Sequence, residues 1–371
     1  MSTAIINARI FTSYGIESDK AILLNGSIIE DIIPRQDAPA NYDIKDIGGL
    51  NMAPAFIDLQ IYGGNGRMFS HELSVESLRS TYEYCLSGGC AHFMVTMATN
   101  SIENFLKGID AVQDYWDGGG EGVLGLHLEG PYINAEKKGA HIERYIKRPT
   151  LEEVQRLVNR KKGVVKMITI APENCEAQVI DYLLHQGIIV SAGHTNATYN
   201  EATNCFNMGI PAATHLFNAM SPFQHRGPGA VGAIFDHSKI MSSIVCDGVH
   251  VDYPAVRIAK RILKERLFFI TDAVTEITEG EYKHIFKGDR YTLPDGTLSG
   301  SSLTMMQSVK NGIHHAGISL DEALRMASTY PAKLLGENYR LGKIEKGYRS
   351  AFVVFDDELN VKEVIKNVSG S

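Results

Sequence analysis

Eight apolar, strand-like runs separated by helical patterns constrain this chain more than any other feature. They read AFIDLQIY, AHFMVTMAT, GVLGLHLEG, VVKMITIAP, GIIVSAGHT, PAATHLFNA, IMSSIVCDG and LFFITDAV. Strands that are apolar throughout, with helices between them, imply a parallel sheet covered on both faces. Eight such units over about 220 residues favour an α/β fold of the closed (β/α)8 TIM-barrel type over an open doubly wound sheet. No G-x-G-x-x-G follows an early strand, which counts against dinucleotide binding. Thr150 with Glu153 predicts a boxed helix closing near Gly163, and Ser319 with Glu322 another closing near Gly336.

The ends of the chain read differently. AIINARIF, KAILL, the Asn25-Gly26 turn and SIIEDII form a hairpin-rich start, and KIEKG, SAFVVFD and VKEVIKNV a β-rich finish. The expected organisation is one small β domain from residues 1–52 and 338–371, flanking a barrel over 53–337. After the eighth run, TEITEGEYKHIFKGDRYTLPDGTLSGSS is long, and Asp295-Gly296 predicts a hairpin over the barrel mouth. The net charge of −7 argues against a nucleic-acid surface, so an anionic ligand has to be met by a local pocket of positive charge. The chain shows neither a signal-peptide pattern nor an apolar run long enough for a membrane span. Five scattered cysteines without C-x-x-C read as reduced thiols of a cytoplasmic protein.

In such a barrel the C-terminal strand ends carry the chemistry. They hold Gln60 and Tyr62, then Glu129, His194, His215, Asp247 with His250, and Asp272. One carboxylate and two imidazoles from three strands suit a divalent cation with open positions, so Glu129, His194 and His215 are the expected metal ligands. Zinc is the first expectation, with ferrous iron or another divalent ion as alternatives. Asp272 ends a very apolar strand, where a carboxylate needs a cation or donors; it reads as a proton-transferring base or as a helix cap. His127 shares the inward face with Glu129, either supporting the site or as a buried structural histidine.

HLEGPYIN, SAGHTNATY, THLFNAM, DGVHVD, TDA and SGSSLTM resemble, in order and through nearly the whole chain, the N-acetylglucosamine-6-phosphate deacetylase family of the amidohydrolase superfamily. The resemblance implies that the small β domain built from both termini is a β-sandwich. It implies hydrolysis of an N-acetyl amino-sugar phosphate to acetate and a free amine. It implies sugar contacts from Ala140, Asn218, Ala219 and the Leu298, Ser299, Gly300 loop, and an oxyanion donor in His141. It also implies phosphate binding by His250 and Arg226, with Arg226 reaching the neighbouring site of a homodimer. Many amidohydrolases carry His-x-His where this chain has Gln60 and Tyr62, and Lys166 lies near the beginning of the fourth strand. One metal is therefore expected. The rival readings are a hydrolase of cyclic amides or N-acyl amino acids, a non-catalytic assembly barrel, and a metal-independent isomerase barrel.

Overall fold

The fold was taken from a computed structural model, which describes residues 2–366. All eight expected strands form: Phe56–Ile61 (β1), Cys90–Ala98 (β2), Val123–Glu129 (β3), Val165–Ile170 (β4), Ile189–Ala192 (β5), Ala212–Ala213 (β6), Met241–Val245 (β7) and Leu267–Ile270 (β8). They stand in chain order in one sheet. The pairings from β2 through β8 are parallel. The circle closes just past the strand ends. There the Asp272 N–H donates to the Gln60 carbonyl at 2.9 Å, and the Tyr62 N–H to the Ala273 carbonyl at 3.0 Å.

Burial explains the composition of these strands. Every residue of β1, β7 and β8 is buried, as a parallel sheet covered on both faces requires. The barrel interior also holds polar side chains, and they satisfy one another. His127 Nε2 meets Thr169 Oγ1 at 2.7 Å, Thr169 meets Thr214 at 2.8 Å, and Ser191 meets Thr214 at 2.7 Å. Burial lowers the His127 pKa to about 4, so the ring is neutral.

The sixth run is shorter as a strand than its apolar length suggested. Pairing stops at Ala213 because His215, Phe217 and Ala219 take φ of 36°, 79° and 49°, which no extended strand allows.

By residue contacts the chain divides into two compact units. One comprises Met1–Asp58, Cys85–His92 and Thr304–Ser371, the other Leu59–Tyr84 and Phe93–Leu303. In the first, two β-sheets face a shared core. One contains Lys20–Asn25 and Ile28–Pro34, joined by the expected turn, with Gly26 at φ 58°. The other pairs Ala351–Phe355 with Asn51–Pro54 and with Val361–Lys366, so the two ends of the chain meet in one sheet. Ile10, Ile22, Leu24, Met52, Phe352 and Val354 lie in the core between them. The last two residues of the VKEVIKNV run fall outside the described residues.

The helix caps depart from expectation in instructive ways. Thr150 accepts from the Glu153 N–H, but the Glu153 carboxylate goes to Tyr132 and Lys147, and the helix is Leu151–Val158, short of Gly163. Ser319 makes no cap bond to the helix backbone, and Glu322 pairs with Arg325 and Tyr330. The helix ends at Ala327 and restarts as Thr329–Leu334 around Pro331, which has no N–H to donate. A reciprocal box forms instead between Thr198 and Glu201. The insert after β8 folds as Ile285–Phe286 against Tyr291–Thr292, followed by the tight turn at Asp295-Gly296.

Candidate active site

At the C-terminal end of the barrel a cavity of about 260 Å³ is lined by Glu129, His194, His215 and Asp272. Ala140, His141, Asn218, Ala219, His250, Leu298, Ser299 and Gly300 line it as well. Of the residues expected to ligate the metal, transfer the proton or touch the substrate, Arg226 is the one that lies elsewhere, in an open hollow with Asn196, Tyr199, Gln224 and Pro228. The cavity wall also includes Met68, Val274, Tyr282 and His284. Sequence reading missed these four, because they belong to a hairpin after β1 and to the loop and insert after β8, where no strand period points to them.

Three of the four central groups leave their strands in left-handed backbone: His194 at φ 47°, His215 at 36° and Asp272 at 54°. Such conformations cost about 1–3 kcal/mol each in non-glycine residues and persist where the surroundings impose them. Here the reversal turns each side chain off the strand direction and into the cavity. The result is convergence. His215 Nε2 lies 3.0 Å from Glu129 Oε1 and 3.1 Å from His194 Nε2, and His194 Nε2 lies 3.4 Å from Glu129 Oε1. Glu129, His141 and His194 also offer ligand atoms all within 4.8 Å of one another.

Tautomers separate a ligand from a donor in this group. His194 Nδ1 faces the Lys137 carbonyl at 2.8 Å, and a carbonyl only accepts, so the proton sits on Nδ1 and Nε2 keeps its lone pair. His141 is the opposite case. Its Nδ1 accepts the Thr99 N–H at 3.2 Å, so the neutral ring carries its proton on Nε2, which points at Glu129 Oε2 from 3.2 Å. Burial and the neighbouring His194 lower the His141 pKa to about 4, which keeps the ring neutral. His141 is therefore a donor, while Glu129 Oε1 and His194 Nε2 offer lone pairs, with His215 Nε2 beside both. With the His215 proton on Nδ1, one cation would satisfy all three atoms together, and a carboxylate with two imidazoles is a donor set that suits it, so the residues present fit a divalent metal. His215 Nδ1 has no hydrogen-bond partner among the described residues.

The carboxylates are held from the β1 side. Gln60 Nε2 lies 2.9 Å from Glu129 Oε1 and 2.8 Å from Asp272 Oδ1, and the Tyr62 hydroxyl donates to Glu129 Oε2. Burial, with the Glu129 and Asp272 charges, holds the Tyr62 pKa well above its usual value, so the phenol keeps its proton. Burial works against Glu129 ionisation, but the three histidines outweigh it and hold its pKa well below the usual range. Burial raises the Asp272 pKa, His215 opposes the rise and Glu129 adds to it. For His215, burial pulls downward, yet the bond to Glu129 and the two carboxylate charges leave its pKa raised.

At the far side His250 is oriented by Asp247. Oδ2 of Asp247 accepts from His250 Nδ1 at 2.6 Å, while Oδ1 caps the Val249 and His250 N–H groups at 2.8 Å. Burial resists ionisation of Asp247, but His250 and those two amides hold its pKa below the usual value. The Nε2 atom of His250 remains to meet whatever fills the cavity.

A closed (β/α)8 barrel with a carboxylate, two converging imidazoles and a buried aspartate at its mouth defines a metal-dependent hydrolase. Residues 51–370 match the model of the amidohydrolase family. The chain is 39% identical, over 99% of its length and 98% of the relative's, to the N-acetylglucosamine-6-phosphate deacetylase of Haemophilus influenzae. It is 32% identical to an N-acetylgalactosamine-6-phosphate deacetylase of a Shewanella species, over 84% of this chain and 81% of the other. A crystal structure of N-acetylglucosamine-6-phosphate deacetylase from Pasteurella multocida superposes with a TM-score of 0.95 at 36% identity, covering 99% and 98% of the two chains. The chain belongs to the amidohydrolase family, among its N-acetylglucosamine-6-phosphate deacetylases.

Proposed function

We propose that this chain hydrolyses N-acetyl-D-glucosamine 6-phosphate to D-glucosamine 6-phosphate and acetate, as a cytoplasmic homodimer with one divalent ion, zinc first, per subunit. One observation supports this reading above the others: a buried aspartate, Asp272, lines the same cavity as the converging side chains of Glu129, His194 and His215. We assign those three as the metal ligands, with the barrel over 53–337 as the catalytic domain and 1–52 with 338–371 as the flanking one. When bound, the ion supplies Lewis acidity and lowers the pKa of water, to about 7 in favourable zinc sites.

The protein groups do the rest. Asp272, its pKa raised, takes a proton from the attacking water and delivers it to the amine nitrogen, which leaves poorly without one. His141 Nε2–H donates to the carbonyl oxygen as it gains negative charge. Gln60 and Tyr62 fix the two carboxylates so that neither needs to reorganise during the reaction. Asn218, Ala219 and the Leu298–Gly300 loop contact the sugar. His250, aimed by Asp247, meets the phosphate end together with Arg226 of a second subunit.

The deciding experiment pairs elemental analysis of the purified protein with an acetate assay on N-acetylglucosamine 6-phosphate and its galactosamine epimer. Stoichiometric metal and faster turnover of the glucosamine compound are expected. Full activity after chelation, or no acetate from either sugar, overturns the reading.

A further inference from the structure

One wall of the cavity, the Tyr62 hydroxyl apart, has no part in the chemistry above. Tyr62, Met68, Ala98, Val274 and Tyr282 form a buried apolar cluster, and all five line the cavity. Several observations attach this cluster to the reacting end. Ala98 is the registered neighbour of Glu129 across β2 and β3, so its methyl stands beside that carboxylate. The next residue, Thr99, donates its N–H to His141, while its carbonyl accepts the Tyr282 hydroxyl at 2.6 Å. The Tyr62 hydroxyl reaches Glu129 itself. Of the groups assigned to the sugar and phosphate, Asn218, Ala219 and His250 follow β6 and β7, away from β1 and β2, while the Leu298–Gly300 loop adjoins the cluster at Val274.

Consider an amide whose oxygen meets His141 and whose nitrogen faces Asp272. Its carbonyl carbon has one substituent left, the acyl chain, and the surface facing it is this cluster. We infer that these five residues are the acyl chamber, and that Met68 and Ala98 set the length of N-acyl chain that is accepted. The inference rests on the deacetylase reading. The two hydroxyls of the cluster are engaged with Glu129 and Thr99, so the chamber presents hydrocarbon. Met68 is held in place by the hairpin after β1. It pairs with Gly63, where a Cβ would fall 2.2 Å from the Arg67 carbonyl, so the hairpin closes this tightly only over glycine. Ala98 is the smallest residue of the wall, and any addition there narrows the space beside Glu129. The bonds exchanged are the same for every chain length: water oxygen joins the acyl carbon, the C–N bond breaks, a water proton passes to nitrogen, and the acyl group leaves as its carboxylate.

The test compares kcat/KM for the N-acetyl, N-propionyl and N-butyryl forms of glucosamine 6-phosphate in wild type, Met68→Ala and Ala98→Val. A methylene in an apolar pocket is worth about 10–200-fold, so Met68→Ala should raise the butyryl-to-acetyl ratio about tenfold or more. Ala98→Val should lower the propionyl-to-acetyl ratio by about the same factor. Ratios within one preparation do not depend on its folded fraction, and the two variants probe opposite changes in volume. Acetate release with both ratios within about twofold of wild type overturns the chamber, since a single methylene should exceed that. If wild type releases acid from none of the three, the deacetylase reading falls first and the chamber with it.

Discussion

Asp272 shows how much a single residue at a strand end has to satisfy. Its N–H completes the barrel closure at the Gln60 carbonyl and its carbonyl accepts the Ser301 N–H, at 2.9 Å each, while its backbone sits at φ 54°. The side chain is thus positioned by the sheet, and changing the carboxylate to an amide should leave that framework standing. Asp272→Asn is expected to lower kcat by about 10²–10⁴ through loss of general acid–base catalysis. Metal content, measured on the same sample, should stay at the wild-type level. Near-normal turnover would remove Asp272 from the mechanism. Glu129, His194, His215 and Asp272 were legible in the sequence because residues of ligand or acid–base type stand where apolar runs end. Their separation into lone-pair atoms and a donor was not, since that depends on the Lys137 carbonyl and the Thr99 amide, which reach the rings only after folding. Gln60 and Tyr62 read as poor metal ligands at the end of β1. Their grip on two carboxylates emerges only when β1 stands beside β8.

Helix caps carry the corresponding lesson for elements. Thr150, Thr198 and Ser319 are each followed three residues later by a glutamate, yet only Thr198 forms the full reciprocal box. The difference lies in competition for the glutamate. Tyr132 and Lys147 take Glu153, and Arg325 and Tyr330 take Glu322, whereas Glu201 turns back to the Thr198 N–H at 2.8 Å. Local motifs therefore show where a helix can begin, and tertiary partners decide how its cap is built. The eight strands were legible because burial on both faces leaves a continuous apolar signature. β6 was overestimated because hydrophobicity does not report φ. Thr198→Ala should destabilise the protein by about 0.5–2 kcal/mol, the usual cost of losing such a cap. A lowered thermal midpoint is the expected readout, and an unchanged midpoint would mean that the helix Tyr199–Asn207 is held by packing alone.

Stability and assembly belong to the whole molecule, and each yields a prediction. Buried His284, with Nδ1 3.0 Å from Ser299 Oγ, has its pKa lowered to about 4 by burial. The unfolded chain takes up this proton near pH 6.5, so the folded state is favoured fully above that pH and progressively less as pH falls towards 4. One proton corresponds to a slope of about 1.4 kcal/mol per pH unit in that window. His284→Gln should therefore lose less thermal stability than wild type between pH 7 and pH 5, and an equal loss in both would rule out this contribution. Arg226 raises the question of assembly, because it lines a hollow separate from the cavity of its own chain. If it binds the phosphate of a neighbouring site, its removal forfeits a charge-assisted bond worth about 1.5–3 kcal/mol, and KM should rise for the phosphorylated sugar far more than for the unphosphorylated one. The neighbour can be identified by mixing two impaired variants. In a hybrid of Arg226→Ala and Asp272→Asn, the Arg226→Ala chain keeps its Asp272 and borrows Arg226 from the other chain, so one site is intact. Random exchange makes half of the dimers hybrids, so about a quarter of wild-type activity should return on mixing. An arginine serving its own chain leaves both sites of the hybrid defective, and exchanged subunits that recover nothing would place Arg226 outside the shared site.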